Sequence, residues 1–284
     1  MPELPEVETI KRGLENKIVG KKIRDIIVGN FKIIKSLSKS IFINELKNKV
    51  IKKICRRGKY IIIDLYPKKN LVIHLGMTGL LIYPYVENCD EIISGKIKPK
   101  HNHVIFNFED NTKLVFNDVR RFGKVYLVSD MREVESINKL GLEPLEECFS
   151  VEAFSHILEK KKKNKIKSLL MKQDIIAGLG NIYVNEILYR ANIHPLRQIS
   201  SLTKEESKKL YLEIKSVLTE AVKFGGSTVA DEAYRDTNGE KGKFAKKLQI
   251  YARKGELCKK CGNTIEVIKI EGRSTFFCLH CQKL

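Results

Sequence analysis

The chain has 284 residues, 43% of them hydrophobic, with 53 basic side chains against 34 acidic ones and a formal charge of +19. That length and composition bury a real core of about two domains, which excludes a disordered chain, and so positive a field favours a polyanion over a small neutral substrate. No run approaches the ~18–20 apolar residues of a membrane span, and residues 1–20 lack the apolar centre of a signal peptide, so a cytoplasmic protein without a membrane partner is expected.

The first chemical signal is the opening run Met1-Pro2-Glu3-Leu4-Pro5-Glu6-Val7-Glu8. Loss of Met1 exposes a secondary amine at Pro2. An α-amine titrates near ~7.7–8.0 against ~10.4 for lysine, so a neutral, nucleophilic fraction persists at physiological pH. Glu3 stands beside it, a carboxyl able to donate or shuttle a proton. Residues 5–19 read as a helix with Pro5 in its first turn, Val7, Ile10, Leu14 and Ile18 on one face and Gly20 as its stop. Glu6, and less so Glu8, reads either as a further partner in that proton work or as a carboxylate that simply favours the positive end of that helix.

From Lys22 to about Val128 the pattern changes to short β-branched runs: Lys22–Val28, Tyr60–Leu65, Leu71–Leu75, His103–Phe108, Leu114–Asn117 and Lys124–Val128. These read as antiparallel strands of a sandwich or barrel. Residues 129–149 are polar, include Gly141 and Pro144, and read as a linker. Beyond them the period is helical, most clearly over 203–224, where Thr203 and Glu206 form a capping box and Leu210, Ile214, Val217, Leu218 and Ala221 line one face. Gly225-Gly226 ends that helix, and the aperiodic run 225–245 reads as a mobile functional loop.

Of seven cysteines, four stand in two pairs, Cys258-Lys-Lys-Cys261 and Cys278-Leu-His-Cys281, sixteen residues apart. Two such knuckles present four thiolates to one tetrahedral zinc, and four thiolates leave no open position, so the metal is expected to be structural. Between the knuckles, Thr264–Ile270 and Ser274–Phe277 have β character around Glu271-Gly272, which predicts a hairpin clamped at its base with Arg273 at its tip. His280 reads as a bystander, and Cys55, Cys89 and Cys148 as inert packing residues.

Several motifs together resemble the bacterial formamidopyrimidine-DNA glycosylases of the Fpg/Nei family. They are the opening MPELPEVE, Arg56-Arg57-Gly58-Lys59-Tyr60, His74-Leu75-Gly76-Met77, Arg120-Arg121-Phe122-Gly123, Gly178-Leu179-Gly180-Asn181-Ile182-Tyr183 and the four-cysteine finger. The resemblance spans almost the whole chain. It implies an α+β protein: a catalytic antiparallel β-sandwich with flanking helices over 1–130, a linker over 131–149, a helix–two-turn–helix DNA-binding domain with a lesion-recognition loop over 150–243, and a zinc finger over 244–284. It further implies a monomeric, bifunctional glycosylase and AP lyase of base excision repair, acting on double-stranded DNA that carries oxidised purines.

The same resemblance distributes roles. Pro2 is the nucleophile that captures the sugar and forms an iminium, with Glu3 as proton donor. Lys59 is assigned to β-elimination and Arg273 to δ-elimination, although an always-charged guanidinium suits phosphate binding better than proton donation. Met77 and Phe122 suit the void left by a flipped base, and Arg120 suits the orphaned opposite base. His74, His101, Lys162, Asn181 and Tyr251 are implied DNA contacts. On residue chemistry alone, Met77 and Phe122 also fit a core, Lys59 a basic loop, His74 a hydrogen-bonded strand position and Lys160–Lys163 a solvated helix face. The chain departs from the family at Tyr251-Ala252-Arg253, with alanine in place of the usual glycine, and at the irregular Asp231-Glu232-Ala233-Tyr234. The competing functions are an endonuclease VIII-like enzyme for oxidised pyrimidines and a zinc-finger DNA-binding protein without catalysis.

Overall fold

The computed structural model describes residues 2–29, 31–35, 37–86, 97–229 and 234–284, which form two compact units. The first unit comprises Met1–Asn138 and Phe224–Lys243, the second Lys139–Lys223 and Phe244–Leu284.

In the first unit, helix α1 (Leu4–Ile18) starts where expected, with Glu3 as N-cap and Pro5 at the first turn, where its missing N–H costs no hydrogen bond. Val7, Ile10, Leu14 and Ile18 are fully buried, each such side chain contributing about 1.5–3 kcal/mol. Among the described residues eight strands follow: β1 (Ile23–Val28), β2 (Val50–Arg57), β3 (Tyr60–Tyr66), β4 (Lys69–His74), β5 (Gly79–Ile82), β6 (Asn102–Phe108), β7 (Lys113–Asp118) and β8 (Lys124–Val128). They make two four-stranded antiparallel sheets, ordered β1-β6-β7-β5 and β2-β3-β4-β8. Inward residues of both sheets, among them Ile26, Phe106 and Phe116 from one and Ile54, Ile63 and Ile73 from the other, share a single core. This is the expected sandwich, and helix α1 packs against β2 and β3 of the second sheet.

Three elements of this region were not legible as such. Strand β5 has only four residues, all buried, too few to show a period. Strand β2 reads Val-Ile-Lys-Lys-Ile-Cys-Arg-Arg, and its four cations and the register shift between Ile51 and Lys53 mask the alternation on which a strand is recognised. Helix α2 (Lys39–Leu46) interrupts the strand region, started by Ser38, whose Oγ accepts the Ile41 N–H. The polar stretch after β8 is not bare linker. It holds a 3₁₀ turn (Met131–Glu133) and the short helix α3 (Glu135–Asn138), and the chain passes to the second unit at the end of α3.

The second unit holds α4 (Val151–Lys160), α5 (Ile166–Leu170), α6 (Asn181–Ala191), α7 (Lys204–Lys223) and the hairpin β9 (Glu266–Ile270)–β10 (Arg273–Phe277). The capping box closes as read: Thr203 N–H donates to Glu206 Oε2 at 2.9 Å and Glu206 N–H to Thr203 Oγ1 at 3.1 Å. Gly225 and Gly226, at φ +70° and +77°, take the chain out of α7 in the left-handed region. The hairpin turns at Glu271-Gly272 with φ +48° and +74°, two positive values in succession, as in a type I′ turn. Packing joins α6 to α7 and to β10, and Tyr189, Ile250 and Ile265 form one buried cluster with Cys258 and Cys278. No helix among the described residues is long and apolar enough to cross a membrane.

Phe224–Lys243 belongs to the first unit. Ser227 bridges to Lys243, the Thr237 carbonyl accepts the Tyr83 N–H at 2.9 Å, and Tyr234 joins the sandwich core. Of the irregular run noted in the sequence, Asp231, Glu232 and Ala233 lie outside the described residues, as does Cys89. Cys148 is exposed and so does not pack as expected, whereas Cys55 is partly covered beside Ile62 and Val72.

Candidate active site

Pro2 and Glu3 are buried at the start of α1. The Glu3 N–H donates to Glu6 Oε2 at 2.8 Å, while the Glu3 side chain accepts the Glu6 N–H, so a reciprocal box fixes the terminus. Glu6 does more than favour a helix end. It is 1% exposed, and its Oε1 accepts the Ser227 N–H at 2.6 Å, while Gly226 comes so close that a Cβ there would lie 2.7 Å from Oε1. One carboxylate thus ties the Pro2–Glu3 end to the segment that follows α7.

Lys59 lies in the two-residue turn between β2 and β3, bounded by the Arg57–Tyr60 pair, with Gly58 at φ +54°. It is 8% exposed, which rules out a solvated lysine on a basic loop. The turn is fastened to α1: Arg56 Nε donates to Glu8 Oε2 at 2.9 Å, and its Nη1 donates to the Gly58 carbonyl at 3.1 Å. Burial opposes ionisation of Glu8, but hydrogen bonds from Arg12 and Arg56 hold its carboxyl below the usual range. The Glu8–Arg56–Gly58 chain therefore brings the turn carrying Lys59 to the helix that carries Pro2 and Glu3.

His74 ends β4. It pairs with Tyr60 and Lys124 across the sheet, and its ring centre lies 4.8 Å from that of Tyr60. Nδ1 accepts the Gly76 N–H at 3.2 Å. Burial, and then the charges of Lys59 and Lys124, lower its pKa to about 4, so the ring is neutral at physiological pH.

Beyond His74, the β4–β5 loop carries Met77 and the β7–β8 loop carries Arg120 and Phe122. Gly76, at φ +65°, lies against the second loop, where a Cβ would stand 2.6 Å from the Phe122 carbonyl carbon. Phe122 is 51% exposed and is not core, and the Arg120 guanidinium covers its ring at 4.7 Å. Met77 is partly exposed. His101 ends a 3₁₀ turn (Pro99–His101) before β6; burial, with Lys100, His103, Arg121 and Lys98 nearby, lowers its pKa, and its buried Nδ1 has no hydrogen-bond partner among the described residues.

In the second unit, Asn181 opens α6 after Gly180, but its side chain is engaged internally. Oδ1 accepts from Lys167 Nζ at 2.8 Å and Nδ2 donates to the Ser274 carbonyl at 2.9 Å. Lys167 is 1% exposed and also reaches Thr275 Oγ1 at 2.6 Å, so this cation clamps the hairpin to the start of α6. Glu186, fully buried in α6, accepts the N–H groups of Gln249, Ile250 and Tyr251 at 2.9–3.0 Å. The Tyr251 ring then meets Phe276 edge-on at 5.3 Å, and Arg273 is exposed at the hairpin tip. Lys162 is exposed after α4 on the rim of a cavity of about 480 Å³ that holds none of the candidate catalytic residues.

Sequence reading passed over Asp118, Lys167 and Glu186. Each is a charge set in an apolar run, at the end of Leu114–Asn117, in Ile166–Leu170 and in Ile182–Leu188. That pattern signals a buried, fully bonded ion.

The Sγ atoms of Cys258, Cys261, Cys278 and Cys281 lie within 4.8 Å of one another, with Cys258–Cys281 at 3.8 Å and Cys261–Cys278 at 3.5 Å. A tetrahedral ion with bonds of ~2.3 Å to sulfur sets its ligands ~3.8 Å apart, so the four fit zinc. Burial pushes the Cys258 thiol up, but hydrogen bonding with Tyr189, together with the backbone N–H groups of Lys260 and Cys261, outweighs this and brings it down to about 6.

Residues 1–125 match the family description "Formamidopyrimidine-DNA glycosylase N-terminal domain", residues 140–233 its H2TH domain, and residues 255–284 "Zinc finger found in FPG and IleRS". The formamidopyrimidine-DNA glycosylase of Wolbachia pipientis subsp. Culex pipiens (strain wPip) is 44% identical over 99% of this chain and 100% of its own. Wild-type Lactococcus lactis Fpg bound to DNA containing N7-benzyl-Fapy-dG superposes with a TM-score of 0.87 at 37% identity, covering all of both chains. The same relative bound to DNA containing an oxidised pyrimidine superposes equally well at 36% identity, again over both full chains. With three family domains matched in order and full-length relatives above 40% identity, the chain belongs to the formamidopyrimidine-DNA glycosylase family.

Proposed function

We propose that this protein is a DNA glycosylase and AP lyase of base excision repair, removing oxidised purines such as 8-oxoguanine and formamidopyrimidines from duplex DNA. The observation that carries the reading is the buried Pro2–Glu3 terminus, braced by Glu6 and tied through Glu8 and Arg56 to the turn of Lys59. Once Met1 is removed, the Pro2 nitrogen attacks C1′ of the damaged nucleotide, and the bond from C1′ to the base breaks. The base leaves with that electron pair and takes up a proton. Glu3 protonates the ring oxygen, the sugar opens, and an iminium joins Pro2 to C1′. The iminium acidifies C2′; loss of that proton expels the 3′ phosphate, and a second elimination expels the 5′ phosphate.

Lys59 serves the first elimination, and Arg273 holds a phosphate during the second. Met77 and Phe122 fill the space of the flipped nucleotide, and Arg120 meets the orphaned cytosine. His74, His101, Lys162, Asn181 and Tyr251 flank the DNA path, with the Asn181 side chain acting chiefly through the hairpin it holds. Zinc on the four cysteines supplies no chemistry and keeps the hairpin folded. The protein works as a cytoplasmic monomer, with no membrane partner. The complex of a relative with an oxidised pyrimidine favours a second reading, in which pyrimidine lesions enter the same site.

Borohydride trapping on duplex DNA with 8-oxoguanine opposite cytosine tests the mechanism, because reduction turns the iminium into a stable cross-link. The adduct is expected on Pro2. An adduct elsewhere, or tight binding with no adduct, overturns it.

A further inference from the structure

We infer that Asp118 is the positioning residue that locks the two strand-gap loops together and thereby sets discrimination of the base opposite the lesion; this rests on the reading of Met77, Arg120 and Phe122 given above. Asp118 closes β7 and is fully buried. Its Oδ1 accepts the Thr78 hydroxyl at 2.5 Å and the Arg120 N–H at 3.2 Å, and its Oδ2 accepts the Gly123 N–H at 2.7 Å. Thr78 Oγ1 accepts the Arg120 N–H in turn at 3.1 Å, and the Asp118 carbonyl oxygen meets His103 Nε2 at 2.7 Å. The carboxylate thus holds the residue after Met77, the backbone of Arg120 and the residue after Phe122.

The surroundings leave no slack. A Cβ on Gly123 would lie 2.4 Å from the Phe116 ring and 3.1 Å from Asp118 Oδ2. Arg121, between the two candidate DNA contacts, takes φ +60°, a conformation that an isolated arginine resists and that the bonds on both sides impose. The side chains of Arg120 and Phe122 are exposed, and apart from their contact with each other and the close approach of Gly76 to the Phe122 backbone, little packing orients them. Their placement relative to Met77 therefore depends on this carboxylate.

The test uses Asp118→Asn, which keeps the shape but turns one acceptor into a donor, Thr78→Val, which removes one arm, and the double variant. Affinity is measured for duplexes carrying an uncleavable abasic analogue opposite cytosine or opposite adenine, alongside borohydride trapping on a single-stranded abasic oligonucleotide, which needs no strand-gap filling. Asp118→Asn is expected to lower the cytosine-to-adenine affinity ratio roughly tenfold, the scale of one charged hydrogen bond. Thr78→Val acts in the same direction by a smaller factor, and the double variant falls no further than Asp118→Asn, because both cut one link. Single-strand trapping stays within about twofold of wild type. An unchanged affinity ratio in Asp118→Asn overturns the inference, as does a loss of single-strand trapping that parallels the duplex loss. Absence of trapping in the wild type overturns the proposed chemistry instead, and the affinity ratio still decides the role of Asp118.

Discussion

His74 makes the stability of the first unit depend on pH in a way that one substitution should remove. Burial and the charges of Lys59 and Lys124 lower its pKa to about 4, against about 6.5 in an unfolded chain. Between those values the unfolded state binds the extra proton, so the stabilisation is complete above pH 6.5 and is lost as the pH falls towards 4. The limit for a shift of this size is about 3 kcal/mol, and the loss by pH 5 is about 2 kcal/mol. Protonation has a local consequence as well, since the Gly76 N–H that Nδ1 accepts at 3.2 Å would face a second donor at the root of the Met77 loop. Urea unfolding of wild type and His74→Gln at pH 7 and pH 5 isolates the contribution, because carboxylates that titrate in the same window are common to both. Wild type should lose about 2 kcal/mol more than the variant over that interval. Equal losses would show that the imidazole is free to protonate in the folded protein and refute its burial beside Lys59 and Lys124.

Three further outcomes are expected. Ala252 is exposed at φ +62° in the 250–253 turn, where an L-residue is disfavoured by about 1–2 kcal/mol, so Ala252→Gly should raise the melting temperature even after the entropy glycine adds to the unfolded chain; a lower melting temperature would mean that the methyl group packs. Glu186→Gln replaces an ionised acceptor of three backbone N–H groups and should cost about 1.5–3 kcal/mol, with amide exchange accelerating first at residues 249–251. Stripping the metal with a chelator should raise amide exchange throughout Glu266–Phe277, since an isolated two-stranded hairpin is marginal in water, and leave the sandwich strands protected. Cobalt added back should give the absorption of a tetrahedral tetrathiolate; unchanged exchange after chelation would remove the structural role of the ion.

Local pattern foretold much of the architecture because the relevant physics is local. Four apolar residues on one face made α1 visible, paired knuckles made the finger visible, and Thr203 with Glu206 marked the start of α7. Strand β2 stayed hidden because its outward face is cationic and its register slips, so the period of two is broken at the positions that would reveal it. The motifs named the side chains of the candidate site but not what holds them. That Glu6 reaches Ser227, 221 positions away, or that Lys167 reaches Thr275, is a property of the folded chain, because partners so far apart leave no spacing to read.

Glu6, Asp118, Lys167 and Glu186 share a logic that bears on function. Each is almost wholly withdrawn from water, a position that costs several kcal/mol unless every bonding group is met, and each is met chiefly by segments outside its own element. Such an ion is a poor source of net stability, since an apolar residue of equal size would often serve the core as well. What it fixes is geometry. The segments it holds, at 226–227, 78, 120–123 and 249–251, are irregular, and 273–275 opens the short strand β10; they carry or adjoin side chains of the candidate site. A mutation at one of these ions should therefore disturb DNA binding at temperatures where the protein is still folded, whereas a truncation in the sandwich core, such as Phe106→Ala, should cost stability of about 3–5 kcal/mol while leaving the folded fraction able to bind. Comparing affinity per folded molecule across Asp118→Asn, Glu186→Gln and Phe106→Ala separates the two, and equal affinities in all three would show that the buried ions serve folding alone.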